Sequence, residues 1–526
     1  MAGGVAHETD AGAAPATPAI ELVGISKSFG AVRANRDIDL TVAKGTIHGI
    51  VGENGAGKST LMSILYGFYQ ADAGEIRIDG RPTPIPDSLA AIRAGIGMVH
   101  QHFMLVEPFT VLENVVLGAE TGALLRPSLA RARAELKRLE EEYELEVDPD
   151  AVVGELSVGL QQRVEILKAL YRECDILILD EPTGVLTPAE ADHLFRILRN
   201  LKAEGKTVIL ITHKLREIMA VTDAVSVMRR GEMVKTFVTA GTTPAELAEA
   251  MVGRRVLLRV EKAPASPGPV VLAVSALDLV DAQGVARLKS VDLTVRAGEI
   301  VGVAGVAGNG QSELLEVLAG IRAATGGTVS LKGEALDTSR TTSADDRRAA
   351  SVAHVPEDRH RRGLVMAFAE WENSLLGYQG EPRFRGPAFT LDRRAIRDLA
   401  RASIARFDIR PPECDLKTAS FSGGNQQKIV IAREMERDPD VLLVGQPTRG
   451  VDIGAIEFIH RQIVALRDRG KAILLVSVEL DEIQALADRI VVMFDGRVSG
   501  ERVAGETDER ELGLLMAGID PKVRAA

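Results

Sequence analysis

Two α/β domains in tandem, each on a mainly parallel core sheet, are what this 526-residue sequence predicts. Three observations carry that reading. The chain is too long for one hydrophobic core, so two or more are expected. Short β-branched runs alternate with longer helical patterns, and DILILD at 175–180 and TVILIT at 207–212 are the apolar runs of strands buried on both faces. Finally, the chain repeats itself. Glu113-Asn114 with Leu117-Gly118 returns as Glu372-Asn373 with Leu376-Gly377, an offset of 259 residues. Ser157, Gly159, Gln161-Gln162 and Pro182-Thr183 return 265 residues on as Ser422, Gly424, Gln426-Gln427 and Pro447-Thr448. A single repetition of that length means a duplicated domain, not a solenoid.

The boundary is legible in EKAPASPGP, where Pro264, Pro267 and Pro269 crowd around Gly268 as in a polar, proline-rich linker. The expected organisation is a disordered Ala/Gly/Pro tail over 1–17, a first domain over 18–256, a linker over 257–267 and a second domain over 268–519. The N-terminus lacks the basic start and apolar core of a signal peptide. No run of about eighteen apolar residues occurs, so nothing is expected to span a bilayer or insert directly into one. Any membrane role then requires a partner. The net charge of -11 argues against nucleic acid as a partner, because phosphate backbones reward a basic surface. Cys174 and Cys414 are the only cysteines and have no partner at metal spacing, which excludes a disulfide framework or zinc site and fits a reducing compartment.

In the first half, Gly52-Glu53-Asn54-Gly55-Ala56-Gly57-Lys58-Ser59-Thr60 matches the P-loop pattern, after the strand-like GTIHGIVG and before the helical STLMSILYGF. Glycines there let consecutive N–H groups cradle phosphates at a helix N-terminus, while Lys58 reaches the β- and γ-phosphates and the Ser59 hydroxyl ligates Mg²⁺. Downstream, Ile176-Leu177-Ile178-Leu179-Asp180 is a buried strand ending in a carboxylate. Asp180 would hold the metal shell and Glu181 would polarise the attacking water as general base. Alone, an Asp-Glu pair at a strand end reads equally as a solvated turn; behind a P-loop the catalytic reading prevails.

Leu156-Ser157-Val158-Gly159-Leu160-Gln161-Gln162, just ahead of that strand, resembles the LSGGQ signature of ABC ATPases. The resemblance covers about 500 residues and implies, for each half, an antiparallel β subdomain and a helical subdomain beside the parallel core. It also implies roles for single residues. Gln101 takes the place of the Q-loop glutamine that touches the metal shell, His213 that of the switch histidine, and Phe29 that of the aromatic stacked on adenine. His100 and His102 flank Gln101 with no carboxylate or cysteine cluster nearby, and read as loop-lining or packing residues.

The second half keeps this frame but not its reactive groups. In Gly305-Val306-Ala307-Gly308-Asn309-Gly310-Gln311-Ser312-Glu313, Gln311 replaces the lysine. Gly445-Gln446 stand for Asp180-Glu181, Val478 stands for His213, and Glu357 lies near the expected Q-loop glutamine. Its signature is nevertheless good: Phe421-Ser422-Gly423-Gly424-Asn425-Gln426-Gln427 keeps the Ser-Gly-Gly core, where the first has Val158 at the second position. In the family each ATP is sandwiched between one domain's P-loop and the other's signature. That rule pairs the intact P-loop with Ser422, Gly423 and Gly424, giving one hydrolytic and one degenerate composite site.

Tandem halves without membrane spans are similar to the simple-sugar and nucleoside branch of bacterial ABC importers, whose second-domain mark resembles Val355-Pro356-Glu357-Asp358-Arg359 with Gly363-Leu364. The basic cluster Arg359–Arg362 reads either as a partner contact or as a solvated loop. Val99-His100-Gln101-His102-Phe103-Met104-Leu105 and Gly445-Gln446-Pro447-Thr448-Arg449-Gly450-Val451-Asp452 look like the nucleoside-type members, with a pentose or hexose importer as the alternative. The resemblance implies ATP and Mg²⁺ as cofactors, two transmembrane permease subunits and an extracytoplasmic substrate-binding protein as partners, and the cytoplasmic face of a bacterial cell membrane as location. A soluble tandem ABC translation factor is the remote rival. It would keep two intact sites and a long charged helical linker, and the linker here is short and proline-rich.

Overall fold

The computed structural model describes residues 17–30, 32–100, 103–119, 125–183, 186, 188–255, 260–306, 308–342, 344–387, 390–451 and 453–520. Gln101, His102, Ala307, Asp452, the tail over 1–16 and the linker's first residues lie outside these. The chain forms two compact units, and the division falls in sequence between Arg254 and Arg255.

In the first unit, β1 (Pro18–Phe29), β2 (Val32–Ala43), β3 (Ile47–Gly52), α1 (Lys58–Leu65), β4 (Ala73–Ile78), β5 (Arg81–Pro82), α2 (Ser88–Arg93) and β6 (Ile96–Val99) come first. They are followed by α3 (Val111–Val116), α4 (Leu125–Tyr143), α5 (Val158–Tyr171), β7 (Ile176–Asp180), α6 (Pro188–Ala203), β8 (Thr207–Ile211), α7 (Leu215–Val221), β9 (Ala224–Arg229), β10 (Glu232–Val238) and α8 (Pro244–Val252). The core sheet runs β10-β9-β3-β8-β7-β6, with every pair parallel except β9–β10. Each residue of β3, β7 and β8 is buried, which is why those segments are apolar without alternation. A second sheet, β2-β1-β4-β5, is wholly antiparallel. The helical layer is α3 packed on α4 and α5. Parallel core, antiparallel β subdomain and helical subdomain are thus all present.

The second unit repeats the plan: β11 (Val270–Val280), β12 (Ala286–Arg296), β13 (Glu299–Ala304), α9 (Gln311–Leu318), β14 (Gly326–Leu331), β15 (Glu334–Leu336), α10 (Ala344–Ala349), β16 (Val352–Val355), α11 (Glu370–Leu375) and α12 (Arg393–Arg406). Then come α13 (Gly423–Met435), β17 (Val441–Gly445), α14 (Ile453–Asp468), β18 (Ala472–Val476), α15 (Leu480–Leu486), β19 (Arg489–Phe494), β20 (Arg497–Val503) and α16 (Glu509–Met516). Its core order is β16-β17-β18-β13-β19-β20 and its antiparallel sheet β12-β11-β14-β15. From Val260 onward the proline-rich segment is fastened to this unit. The Lys262 ammonium donates to Leu486 O at 2.9 Å and Asp488 Oδ1 at 3.1 Å, and Arg467 Nη2 donates to Ala263 O at 2.9 Å.

The repeated Glu-Asn pair has a structural cause. Glu113 accepts from Thr110 N at 2.8 Å and so caps α3, while the Asn114 amide brackets the preceding loop through Val106 N at 2.7 Å and Val106 O at 3.1 Å. Glu372 and Asn373 do the same for α11, on Ala369 N at 2.8 Å and on Val365 N and O at 2.9 Å each. Among the described residues no helix is long and apolar enough to cross a membrane.

Candidate active site

The loop between β3 and α1 is shaped by its glycines. A β-carbon on Gly52 would lie 2.3 Å from Met228 O, and one on Gly57, at φ 101°, 2.3 Å from Ala34 O. Neither position tolerates a side chain. Gly55, at φ 79°, instead has nothing within 4 Å of that point and leaves its backbone open to a ligand. The buried Lys58 ammonium donates to Gly52 O at 2.8 Å and Glu53 O at 3.1 Å, straddling the loop's own carbonyls. Burial lowers its pKa, opposed by the charges of Glu181, Asp180 and Glu53. Asn54, Gly55 and Ser59 are exposed, and Glu53 and Thr60 half-buried, around this turn.

Asp180 ends β7 and is 7% exposed. Its pKa is raised chiefly by burial, opposed by a hydrogen bond from Ser59. Its Oδ1 is buried with no hydrogen-bond partner. A desolvated carboxylate oxygen beside a serine hydroxyl is the hard oxygen donor set that Mg²⁺ takes. Glu181 follows in the left-handed region at φ 48°, held by its N–H to Ile211 O at 2.9 Å. Its Oε1 meets His213 Nδ1 at 2.9 Å. Burial pushes the Glu181 carboxyl up, but the hydrogen bond to His213 and the charges of His213, Lys58 and Lys214 together leave it below the usual glutamate value. Glu181 is therefore ionised at neutral pH.

Phe29, at the end of β1, is 43% exposed, with Tyr69 edge-on at 5.1 Å and the Lys27 ammonium 5.6 Å from its ring centroid. His100 is packed among aromatics, 5.9 Å from Tyr66 and 5.3 Å from Phe68 between ring centroids, and burial lowers its pKa. No cluster able to hold a metal through three His, Cys, Asp or Glu groups exists among the described residues. The first P-loop, Asp180, Glu181 and His213 are thus brought together within one unit.

In the second unit, Gln311 Nε2 donates to Val306 O at 3.2 Å, one loop carbonyl where Lys58 bonds two, and carries no charge. Gln446 has the same φ of 48° as Glu181 and the same anchor, its N–H to Val476 O at 2.8 Å. Its Oε1 accepts from Val478 N at 3.3 Å. At Gly445, where Asp180 has its counterpart, a β-carbon would lie 2.5 Å from Glu357 Cγ and 3.0 Å from Leu315 Cδ1. Glu357 has filled the space the lost aspartate needs.

Ser422 precedes α13 and takes a hydrogen bond from Asn425 Nδ2 at 2.8 Å. A β-carbon on Gly423 would come within 2.7 Å of Arg359 Nη2 and 2.8 Å of Gly450 O. The basic cluster is therefore divided: Arg359 donates to Arg449 O at 2.8 Å and His360 Nε2 pairs with Gln426 Oε1 at 2.8 Å, both turned onto the signature helix. Arg361 and Arg362 face outward, and Arg362 pairs with Glu316. At the first signature the neighbour has the opposite sign, because a β-carbon on Gly159 would lie 2.5 Å from Glu190 Oε1. A guanidinium beside one signature and a carboxylate beside the other are not readable from the motif strings.

The ABC transporter family pattern matches residues 35–184 and 288–449, and the chain belongs to that family. It is an ATP-binding protein of the transport ATPase class. The chain is 47% identical to the nucleoside import ATP-binding protein NupA of Lactococcus lactis, over 95% of this chain and 98% of that one. It is also 47% identical to the guanosine import ATP-binding protein NupO of Bacillus subtilis, over 96% and 98% respectively. A ribose import ATP-binding protein of Burkholderia pseudomallei is 41% identical, over 94% and 95%.

Proposed function

We propose that the chain hydrolyses ATP at its first P-loop to energise import of a nucleoside through two transmembrane permease subunits fed by an extracytoplasmic binding protein, from the cytoplasmic face of the membrane. The observation that carries the ATPase reading is the Glu181–His213 pair, 2.9 Å apart beside Lys58 and Asp180. The nucleoside reading is supported by relatives 47% identical whose names specify nucleoside or guanosine import, against 45% for a glucose importer and 41% for a ribose importer.

In this reading the residues divide the work. Phe29 stacks on adenine, and the amides of Gly52 through Thr60, with Lys58, hold the phosphates. Ser59, Asp180 and Gln101 would hold Mg²⁺, which when bound neutralises charge on the β- and γ-phosphate oxygens. Glu181 orients and deprotonates the attacking water, and His213 fixes the base and stabilises charge developing on the γ-phosphate. Ser422, Gly423 and Gly424 contribute the signature, supported by the guanidinium of Arg359 beside Gly423. The first signature, with Val158 and the Glu190 carboxylate beside Gly159, is suited less to an anion. The working cassette is assigned to 18–256, the linker to 257–267 and the degenerate cassette to 268–519.

The test is reconstitution with co-purified permease and binding protein. Nucleosides are expected to raise ATPase activity severalfold while pentoses and hexoses leave it at the basal rate. Stimulation by a sugar alone would transfer the assignment to a sugar importer.

A further inference from the structure

Glu217 lies in α7 and belongs to none of the motifs above. The residue is 7% exposed and its carboxyl group is shared by two hydroxyls from different strand ends. Thr183, two residues past Glu181, donates to Oε1, and Thr212, next to His213, donates to Oε2 at 2.9 Å. Thr212 Oγ1 also accepts from Lys214 N at 3.0 Å, and Gln162 of the signature helix donates to Pro182 O at 2.7 Å. The loops after β7 and β8, one carrying the base and the other its histidine, are thus clipped to a single carboxyl group. Burial pushes the Glu217 carboxyl above the usual glutamate range, opposed by the charge of Lys214 and by the hydrogen bonds from Thr183 and Thr212.

The second unit supplies an internal control. It keeps the residue types, with Thr448, Ser477, Glu482 and Gln427 at the matching places, but not the contacts. Glu482 Oε1 is taken by His460 at 3.0 Å and its Oε2 is buried with no partner. The Gln427 amide nitrogen is likewise buried without a partner. Ser477 Oγ retains only the local bond from Glu479 N at 3.1 Å among those it shares with Thr212. The clip is made where the Glu-His pair exists and unmade where that pair has become Gln446 and Val478.

We infer that Glu217 is a positioning residue of the hydrolytic site, tying Thr183 to Thr212 so that Glu181 and His213 are held in register for attack on the γ-phosphate. This rests on the assignment of Glu181 as base. Displacement of the pair by about 1 Å is enough to cost a hundredfold in rate, while the phosphate-binding loop, built on other residues, is untouched.

The test compares variants of the full chain in its permease complex, reading kcat and KM for ATP together with AMP-PNP affinity. Glu217→Ala is expected to lower kcat at least tenfold, with KM and AMP-PNP affinity within threefold of the parent. Glu217→Gln, whose amide can accept from one hydroxyl and donate to the other, should recover a third or more of kcat. Should the alanine variant not fold, Thr212→Val removes one arm and is expected to lower kcat three- to tenfold in folded protein. Glu482→Ala should change kcat less than twofold. A kcat for Glu217→Ala or Thr212→Val within twofold of the parent overturns the inference, as does a loss seen only in KM and AMP-PNP affinity. Glu181→Gln in the same assay separates the two readings: if it turns over normally the base assignment fails, and if it is inactive while Glu217→Ala is active, only the positioning role fails.

Discussion

Glu181→Gln lowers the steady-state ATP turnover of the assembled transporter by about 10²–10⁴-fold, the span expected when a general base is removed, and leaves AMP-PNP binding within threefold. The fold carries its own evidence that this change is structurally silent. Gln446 holds the same left-handed backbone at the same strand end with the same N–H anchor. A glutamine side chain therefore fits the corner that Glu181 occupies. What it cannot do is take a proton, and its amide cannot draw charge toward His213 as the carboxylate does. Substrate binding depends on the loop after β3, where nothing changes, so the loss falls on kcat and not on affinity.

Lys58→Gln separates charge from structure at the other end of the site. Gln311 shows that an amide satisfies this loop, donating to Val306 O at 3.2 Å where Lys58 bonds Gly52 O and Glu53 O. The variant is expected to keep its melting temperature within a few degrees. ATP affinity falls about 10–100-fold, because a charge-assisted phosphate contact contributes roughly 1.5–3 kcal/mol. Equilibrium titration with a fluorescent ATP analogue checks it. Unchanged affinity would mean that the lysine serves only the loop's own carbonyls.

Much of this site was legible in the sequence because the chemistry constrains neighbours along the chain. Gly52, Gly55, Gly57, Lys58 and Ser59 must fall within one short loop to wrap phosphates, and Asp180-Glu181 must end one strand. The duplicated Glu113-Asn114 was visible as a repeat, though its purpose, capping one helix and bracketing one loop, needed coordinates. Groups brought together from distant segments were not legible. Glu217 reads in sequence as an ordinary acidic residue in the first turn of a helix, and only its burial between Thr183 and Thr212 gives it a role. Arg359 reads as one of a run of charges until its guanidinium is found against Gly423. The vacated aspartate position at Gly445 looks like simple loss, whereas Glu357 and Leu315 have closed over it.

That closure bears on whether the second cassette could ever be reactivated by a single carboxylate. Gln446→Glu would restore a base in the right backbone setting. It would stand in a unit with Val478 instead of the histidine, an uncharged Gln311 instead of the lysine, and no room for an aspartate at Gly445. The chain that exchanges the two residues, Glu181→Gln with Gln446→Glu, therefore tests the division of labour directly. Its steady-state ATP turnover in the permease complex should be no higher than that of Glu181→Gln alone. Turnover within tenfold of the parent would contradict the assignment of hydrolysis to the first cassette.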